Sequence, residues 1–173
     1  MAATADEHVP EIAPAQEADL EGITAIYNDV IATSTAVFSD APVTVENRRE
    51  WLAERRARGF PVLVARESGE VLGFGSFGDF RAWPGYRTTV EHSVHVAAEQ
   101  RRRGIGALLV RALIEEARAL GMHVMIAGVV STNEASLALH RRLGFVEVGR
   151  FPEIARKFDE WPELVMLQLA LEP

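Results

Sequence analysis

The stretch HVAAEQRRRGIGALLVRAL, residues 95–113, decides the fold of this chain. It follows the β-branched segment TTVEHSV, passes through the basic glycine turn RRRGIG at 101–106, and enters a long amphipathic helix. Glycines at 104 and 106 let the backbone approach a ligand, and the first turn of the helix offers unpaired N–H groups and a positive dipole end. A strand, a basic glycine turn and a helix in this order predict a site for an anion such as a pyrophosphate.

Two common phosphate-binding motifs do not match this turn. The chain contains no GxxxxGK[ST] sequence, which excludes a Walker loop. A dinucleotide-binding GxGxxG motif requires a small residue at position 109, which is Leu109, and an acidic residue at the end of the next strand, where Gly128 and Val129 lie. A run of three arginines is also typical of a solvated surface, so the segments on either side must decide the function.

The elements around the turn predict an α/β fold with a mixed sheet and helices on both of its faces. Helical spacing of apolar residues begins after Asp19, a good N-cap, and a hairpin turn is built on Ser68 and Gly69. The predicted helices cover about 19–31, 47–58, 104–120 and 133–143, and the predicted strands cover about 62–65, 71–74, 88–97, 123–130, 146–148 and 164–171.

Length and composition limit the class of protein. The 173 residues predict one domain over 11–173, with a disordered tail at 1–10. The 18 basic and 25 acidic side chains leave a net charge of −7, which argues against nucleic acid or an anionic membrane as partner. The absence of cysteine excludes disulfides, thiolate metal sites and thiol nucleophiles. Acidic residues at the start and no apolar run of ~18 residues predict a cytoplasmic protein.

The turn resembles the [Q/R]xxGx[G/A] signature of the GCN5-related N-acetyltransferases (GNAT), and this resemblance extends over nearly the whole chain. Four further segments are similar to the phosphinothricin and methionine sulfoximine N-acetyltransferases within that family. The resemblance implies the GNAT fold, in which two central strands splay apart and admit the acyl chain of acetyl-CoA. The four segments are YNDVIATSTAVF (27–38), GDFRAWPGYRTTVEHSV (78–94), ASLALHRRLGF (135–145) and RKFDEW (156–161).

The resemblance also implies which residues bind acetyl-CoA. Backbone groups of one strand are expected to pair with the pantetheine arm, backbone amides of the glycine turn to hold the pyrophosphate, and one asparagine side chain to hold the cofactor arm. These residues are Val94, His95 and Val96 for the first role, Arg102, Arg103, Gly104, Ile105, Gly106 and Ala107 for the second, and Asn133 for the third.

Acyl transfer to an amine needs a base, a donor to the oxyanion and a proton source for the leaving thiolate. Glu91 is the candidate base, because an acidic side chain within a β-branched strand must face solvent, a partner or a substrate. The alternative is an edge glutamate paired with an arginine. A backbone amide near Val94 is the candidate oxyanion donor. His140 stands where many relatives have a tyrosine, and it is either a general acid or a packed histidine.

The loop FRAWPGYR supplies the predicted acceptor site, since small anionic substrates need fixed donors and a shaped wall. Arg81, Tyr86 and Arg87 of this loop and Phe38 are the predicted substrate-binding residues. Lys157, Phe158 and Trp161 match acceptor-side positions in similar enzymes, although Trp161 also suits a dimer contact. No metal site is predicted, because His92 and His95 leave opposite faces of one strand.

The leading hypothesis is an acetyl-CoA-dependent N-acetyltransferase that acts on the α-amine of methionine sulfoximine, methionine sulfone or phosphinothricin. A second enzyme hypothesis is acetylation of a protein N-terminus or a polyamine, against which the arginines of the acceptor loop argue. The third is a non-enzymatic acyl-CoA sensor, which would not need Glu91. The resemblance also implies a homodimer.

Overall fold

Seven strands and four α-helices make up the fold across residues 9–171, the part of the chain that the computed structural model describes. Most of the predicted disordered tail lies outside this range. The strands are β1 Glu11–Pro14, β2 Val62–Glu67, β3 Glu70–Asp79, β4 Thr89–Val96, β5 Val124–Val130, β6 Val146–Phe151 and β7 Leu164–Ala170, and the helices are α1 Leu20–Thr33, α2 Val45–Ala57, α3 Ile105–Ala119 and α4 Glu134–Arg142.

All seven strands belong to one sheet with the order β1-β2-β3-β4-β5-β7-β6. The β4 and β5 strands are parallel, and every other neighbouring pair is antiparallel. The mixed sheet predicted from the sequence is therefore confirmed. The first strand, β1, was not predicted because its four residues are too few to show a periodicity.

Helices cover both faces of the sheet, as predicted, and each face has its own apolar core. Helix α3 places Leu109 and Leu113 against one face. Helices α1 and α2 place Ile23 and Leu52 against the other, where they pack with Phe74 of β3. The helical spacing of these apolar residues explains why each helix buries one side only.

The two central strands separate after Glu91, which confirms the expected splay. Strands β4 and β5 pair at only three positions, and the last pair joins Glu91 and Ile126. Strand β4 nevertheless stays paired with β3 as far as Val96, and β5 stays paired with β7 as far as Val130. A gap therefore opens in the middle of an otherwise continuous sheet.

Helix α1 begins after Asp19, as predicted, but the Asp19 side chain does not cap it. The carboxylate instead accepts hydrogen bonds from the Gln16 backbone N–H and from the guanidinium of Arg66. This buried ion pair ties the start of α1 to β2. Within residues 9–171, no helix is both long and apolar enough to cross a membrane.

Candidate active site

A cleft of about 1130 Å³ opens where β4 and β5 diverge. Its walls are formed by residues 92–96 of β4, 104–107 at the start of α3, 127–130 of β5, and one side of α4. The gap between the strands and the glycine turn therefore belong to the same site.

Backbone groups of β4 line this gap in an alternating pattern. The Ala97 N–H donates to the Leu72 carbonyl of β3 over 2.9 Å, and in an antiparallel pair every second residue then faces the same partner strand. His95 consequently pairs with β3, whereas the N–H and C=O groups of Val94 and Val96 face the gap. Of the three residues expected to pair with a pantetheine arm, Val94 and Val96 present their backbone to the gap, and His95 does not.

The glycine turn has the backbone shape that an anion site requires. Gly104 adopts φ +80° before the first residue of α3, and a Cβ there would have no atom within 4 Å, so this side of the turn is open. The first helical hydrogen bond runs from the Leu108 N–H to the Gly104 carbonyl, over 3.1 Å. The amides of Ile105, Gly106 and Ala107 thus have no helical acceptor and remain available to a ligand.

The arginines of the turn take different directions. Arg102 adopts φ +67° and lines the cleft. Arg103 turns its guanidinium to the Glu67 carboxylate of β2, 2.9 Å away, so it can serve a pyrophosphate only through its backbone. The Ile105 side chain is buried in the α3 core and anchors the turn.

Asn133 lies at the N-cap of α4 and also lines the cleft. Its Oδ1 accepts a hydrogen bond from the Ser136 N–H over 3.2 Å. Its amide nitrogen donates to no other group among residues 9–171 and remains free for a ligand. The open strand edge, the unpaired amides and this side chain fit the extended, anionic shape of acetyl-CoA.

Glu91 marks the point where the gap begins. It lies opposite Gly78 in the β3–β4 register, on the face covered by α1 and α2. Its Oε1 would lie 3.4 Å from a Cβ at Gly128, so the carboxylate lies against the backbone of β5. Burial raises the pKa of Glu91, and the positive charge of Arg81 opposes that rise. The carboxylate accepts no hydrogen bond from residues 9–171, so it is free to meet a substrate.

His140 is buried on the opposite side of the sheet from Glu91, where it pairs with His92. Its Nδ1 lies 2.7 Å from the Ser136 carbonyl, which accepts and cannot donate, so Nδ1 carries a proton. Burial lowers the pKa of His140, which leaves the ring neutral and its Nε2 without a proton near neutral pH. His92 Nε2, 3.1 Å away, therefore donates to His140 Nε2.

No role for His92 was predicted from the sequence. Side chains alternate between the two faces of β4, so His92 shares a face with Val90 and Val94, which pack against α3. This alternation could have predicted from the sequence that His92 is buried. As expected, His95 points the other way, and its ring centroid lies 5.4 Å from that of Tyr27.

The structure does not bring the four predicted acceptor residues together in the cleft. Phe38 lines the cleft itself. Arg81 lies 4.5 Å from the centre of the Phe80 ring, and Tyr86 meets the same ring edge-on. Arg87 donates to the Pro84 carbonyl of its own loop over 3.2 Å. The loop side chains are exposed, and Arg81 is the one whose charge acts on Glu91.

Lys157 does not face the acceptor side, which corrects the expectation from sequence. Its ammonium is buried and donates to the carbonyls of Ile31 and Val37 over 2.7 and 2.6 Å. The neighbouring Phe158 does line the cleft, and Trp161 is exposed. Lys157 therefore holds the loop after α1, with Phe38, against the loop after β6.

A splayed sheet with an open glycine turn defines an acyl-CoA-dependent acyltransferase. The chain belongs to the acetyltransferase (GNAT) family, whose family model matches residues 23–145, and it is an N-acetyltransferase that uses acetyl-CoA.

Curated relatives place the chain within this family. It is 50% identical over 157 residues to the L-methionine sulfoximine/L-methionine sulfone acetyltransferase of Pseudomonas paraeruginosa, covering 90% of this chain and 91% of the relative. It is 38% identical over 154 residues to the phosphinothricin N-acetyltransferase of Streptomyces coelicolor, covering 87% and 90%. The resemblance recognised in the sequence is confirmed.

Solved structures agree on the fold. The yncA acetyltransferase of Salmonella typhimurium, described as putative and solved with acetyl-CoA, has a TM-score of 0.93 and 42% identity over 95% of both chains. A ribosomal-protein-alanine N-acetyltransferase from Brucella melitensis has a TM-score of 0.92 and 45% identity, covering 93% of this chain and 99% of that one.

Proposed function

We propose that this enzyme acetylates the α-amine of a small amino acid with a tetrahedral polar head, such as methionine sulfoximine, methionine sulfone or phosphinothricin. The observation that carries the proposal is the free, partly buried carboxylate of Glu91 at the start of the gap between β4 and β5. The names of the relatives support this class of acceptor.

Two of the three chemical roles, those of the base and of the oxyanion donor, have a group at the gap between β4 and β5. Acetyl-CoA would be held by the backbone amides of 102–107, by Asn133 and by the open edge of Val94 and Val96, and it would supply the activated acetyl group. The Glu91 carboxylate takes a proton from the substrate ammonium, directly or through a water molecule. The Val94 N–H, which faces the gap, donates to the carbonyl oxygen of the acetyl group.

We propose a positioning role for His140 instead of a general-acid role. Its Nδ1–H already donates to Ser136 and its Nε2 accepts from His92, so the neutral ring has no proton directed to the cleft. This supports the packed alternative left open by the sequence.

A panel assay tests the proposal against its alternatives. Thiol release from acetyl-CoA is followed with methionine sulfone, methionine sulfoximine, phosphinothricin, spermidine and an alanine-terminated peptide. The proposal expects the three amino acids to be the best acceptors. A preference for the peptide or for spermidine would instead support acetylation of a protein N-terminus or a polyamine. Binding of acetyl-CoA without transfer to any amine would support a non-enzymatic sensor.

A homodimer and a cytoplasmic location also stay predictions. The edge strand β6 exposes three apolar side chains, those of Val146, Val148 and Phe151. They support a contact with a second copy of the chain. Light scattering coupled to gel filtration is expected to give twice the chain mass, and a monomer mass would contradict the dimer.

A further inference from the structure

A second cavity, of about 330 Å³, lies on the α1/α2 face of the sheet, and we call it the arginine pocket. It shares Ser93 and His95 of β4 with the cleft described above, so the two cavities lie side by side. Its other walls include Tyr27, Arg48, Trp51, Arg55 and Phe74. Aromatic rings and two guanidinium groups thus surround one space beside the reaction site.

Neither guanidinium in this pocket has a carboxylate partner among residues 9–171. Arg48 lies over the rings of Tyr27 and Trp51, at 4.7 and 5.0 Å, and its hydrogen bonds go to the neutral Asn47 amide oxygen. The Nε of Arg55 is fully buried and has no hydrogen-bond partner in the same range. Burial lowers the pKa of both arginines, which reflects the cost of these charges.

Nearby arginines show that the chain pairs such charges elsewhere. Arg66 forms a buried ion pair with Asp19 over 2.6 Å, and Arg58 pairs with Asp79. A half-buried charge without a partner is costly, and a bound anion would offset that cost. Arg48 and Arg55 therefore have the character of an anion receptor.

The arginine pocket lies on the same side of the sheet as the candidate base. A Cβ at Gly78 would overlap the Arg55 guanidinium, so this group lies against the backbone of β3 at Gly78. Glu91 is directly opposite Gly78 in the β3–β4 register, and opposite residues of an antiparallel pair share a face. Ser93, the next β4 residue on that face, lines the pocket. Arg55 and Glu91 therefore lie near each other on one face of the sheet.

We propose that Arg48 and Arg55 bind the α-carboxylate of the acceptor and thereby direct its amine to Glu91. This inference rests on the proposed function and adds a site to it. A planar carboxylate accepts two parallel hydrogen bonds from a guanidinium, and the aromatic walls suit the substrate's aliphatic stem. The exposed Arg81 and Arg87 then meet the outer end of the substrate.

The test compares methionine sulfone with its α-carboxamide in the parent enzyme and in Arg55→Met and Arg55→Lys. We expect Arg55→Met to raise the KM for methionine sulfone about 10- to 100-fold, the range of a lost charge-assisted hydrogen bond. The KM for acetyl-CoA stays unchanged, and the preference for acid over amide is largely lost. Arg55→Lys keeps the positive charge but loses the planar guanidinium that donates two parallel hydrogen bonds, so its KM for methionine sulfone should be intermediate.

Arg111→Met is the matched control, since Arg111 is exposed on α3, and it keeps the parent's KM values and preference. If Arg55→Met does not fold, Arg48→Gln is measured in its place with the same expectation. An unchanged acid-to-amide preference in the folded variant, or an equal loss in the acetyl-CoA KM, would overturn the proposal.

Calorimetric titration with methionine sulfone separates this inference from the proposed function. Binding to the parent and not to Arg55→Met supports the arginine pocket even if no acetyl transfer occurs. Equal binding by both proteins overturns the pocket even if methionine sulfone is acetylated.

Discussion

The imidazoles of His92 and His140 form a buried pair whose Nε2 atoms lie 3.1 Å apart. The hydrogen bonds in this pair have one direction: His92 donates to His140, and His140 donates to the Ser136 carbonyl. The remaining nitrogen, His92 Nδ1, is buried and has no hydrogen-bond partner within residues 9–171. This pair joins β4 to α4, so it holds one wall of the cleft against another.

The histidine pair predicts acid sensitivity. Burial lowers the pKa of His92 to about 3 and that of His95 to about 4, and it also lowers the pKa of His140. The unfolded chain takes up protons at these positions below about pH 6.5, whereas in the native state His95 and His92 stay neutral until the pH approaches about 4 and about 3. The free energy of unfolding should therefore fall as pH drops below that value, by up to about 1.4 kcal/mol per pH unit for each histidine.

Urea unfolding at a series of pH values measures the slope of the free energy of unfolding against pH. His92→Gln keeps a hydrogen-bond donor but cannot titrate, so its slope should be shallower than that of the parent. His123→Gln changes an exposed side chain and should keep the parent's slope. A parent whose stability is constant over this range would show that the buried histidines take up protons at the same pH in the native state and in the unfolded chain.

Glu91→Gln should bind acetyl-CoA normally and lose about 10²- to 10⁴-fold in kcat, the usual contribution of a general base. The loss should be greatest near neutral pH and smaller at higher pH, where more of the substrate amine is already unprotonated. Steady-state rates across pH give the test. A variant with the parent's rate and pH profile would remove Glu91 from the reaction.

Glu91→Gln should also stabilise the fold at pH values above those at which the Glu91 carboxyl group titrates. Because burial raises the pKa of Glu91, the native state holds this proton more tightly than the unfolded chain does. The ionised carboxylate therefore costs stability as pH rises through its pKa, and glutamine avoids that cost. Glu91→Gln should have a higher Tm than the parent at neutral pH and nearly the same Tm near pH ~4. A lower Tm at neutral pH would contradict the burial of a free carboxylate.

Gly104→Val should weaken acetyl-CoA binding at least tenfold, because a side chain at φ +80° strains the turn that presents the amides of α3. Gly121→Val is the matched control: Gly121 has φ +70° at the far end of the same helix. Both variants should lose stability, but only the first should lose cofactor affinity in calorimetry. Equal affinities would place the pyrophosphate elsewhere.

Local sequence patterns predicted most elements because the period of apolar residues distinguishes helices from strands. The glycine turn at 101–106 was also visible, since its chemistry lies in consecutive residues. Longer-range features were not visible. The His92–His140 contact joins residues 48 positions apart, and Lys157 reaches carbonyls more than 100 positions away.

Arg48 and Arg55 show why charged residues in a helix are hard to interpret from sequence. Both lie in a charge-rich segment, VENRREWLAERRA, where charges normally mark the solvent face. Only the packing of α2 over β3 shows that these two arginines line the arginine pocket. Arg49, by contrast, pairs with Glu17 on the solvent side. The splay of β4 and β5 likewise followed from resemblance to a family and not from periodicity.

The acceptor proposed for this enzyme is a free amino acid with a tetrahedral polar head. The most direct measurement is mass spectrometry of the products formed from acetyl-CoA with equal amounts of methionine sulfone, methionine and spermidine. We expect N-acetyl methionine sulfone as the main product, with little acetylated methionine, because the polar head provides hydrogen-bond acceptors that methionine lacks. Acetylated methionine or spermidine as the main product would contradict it.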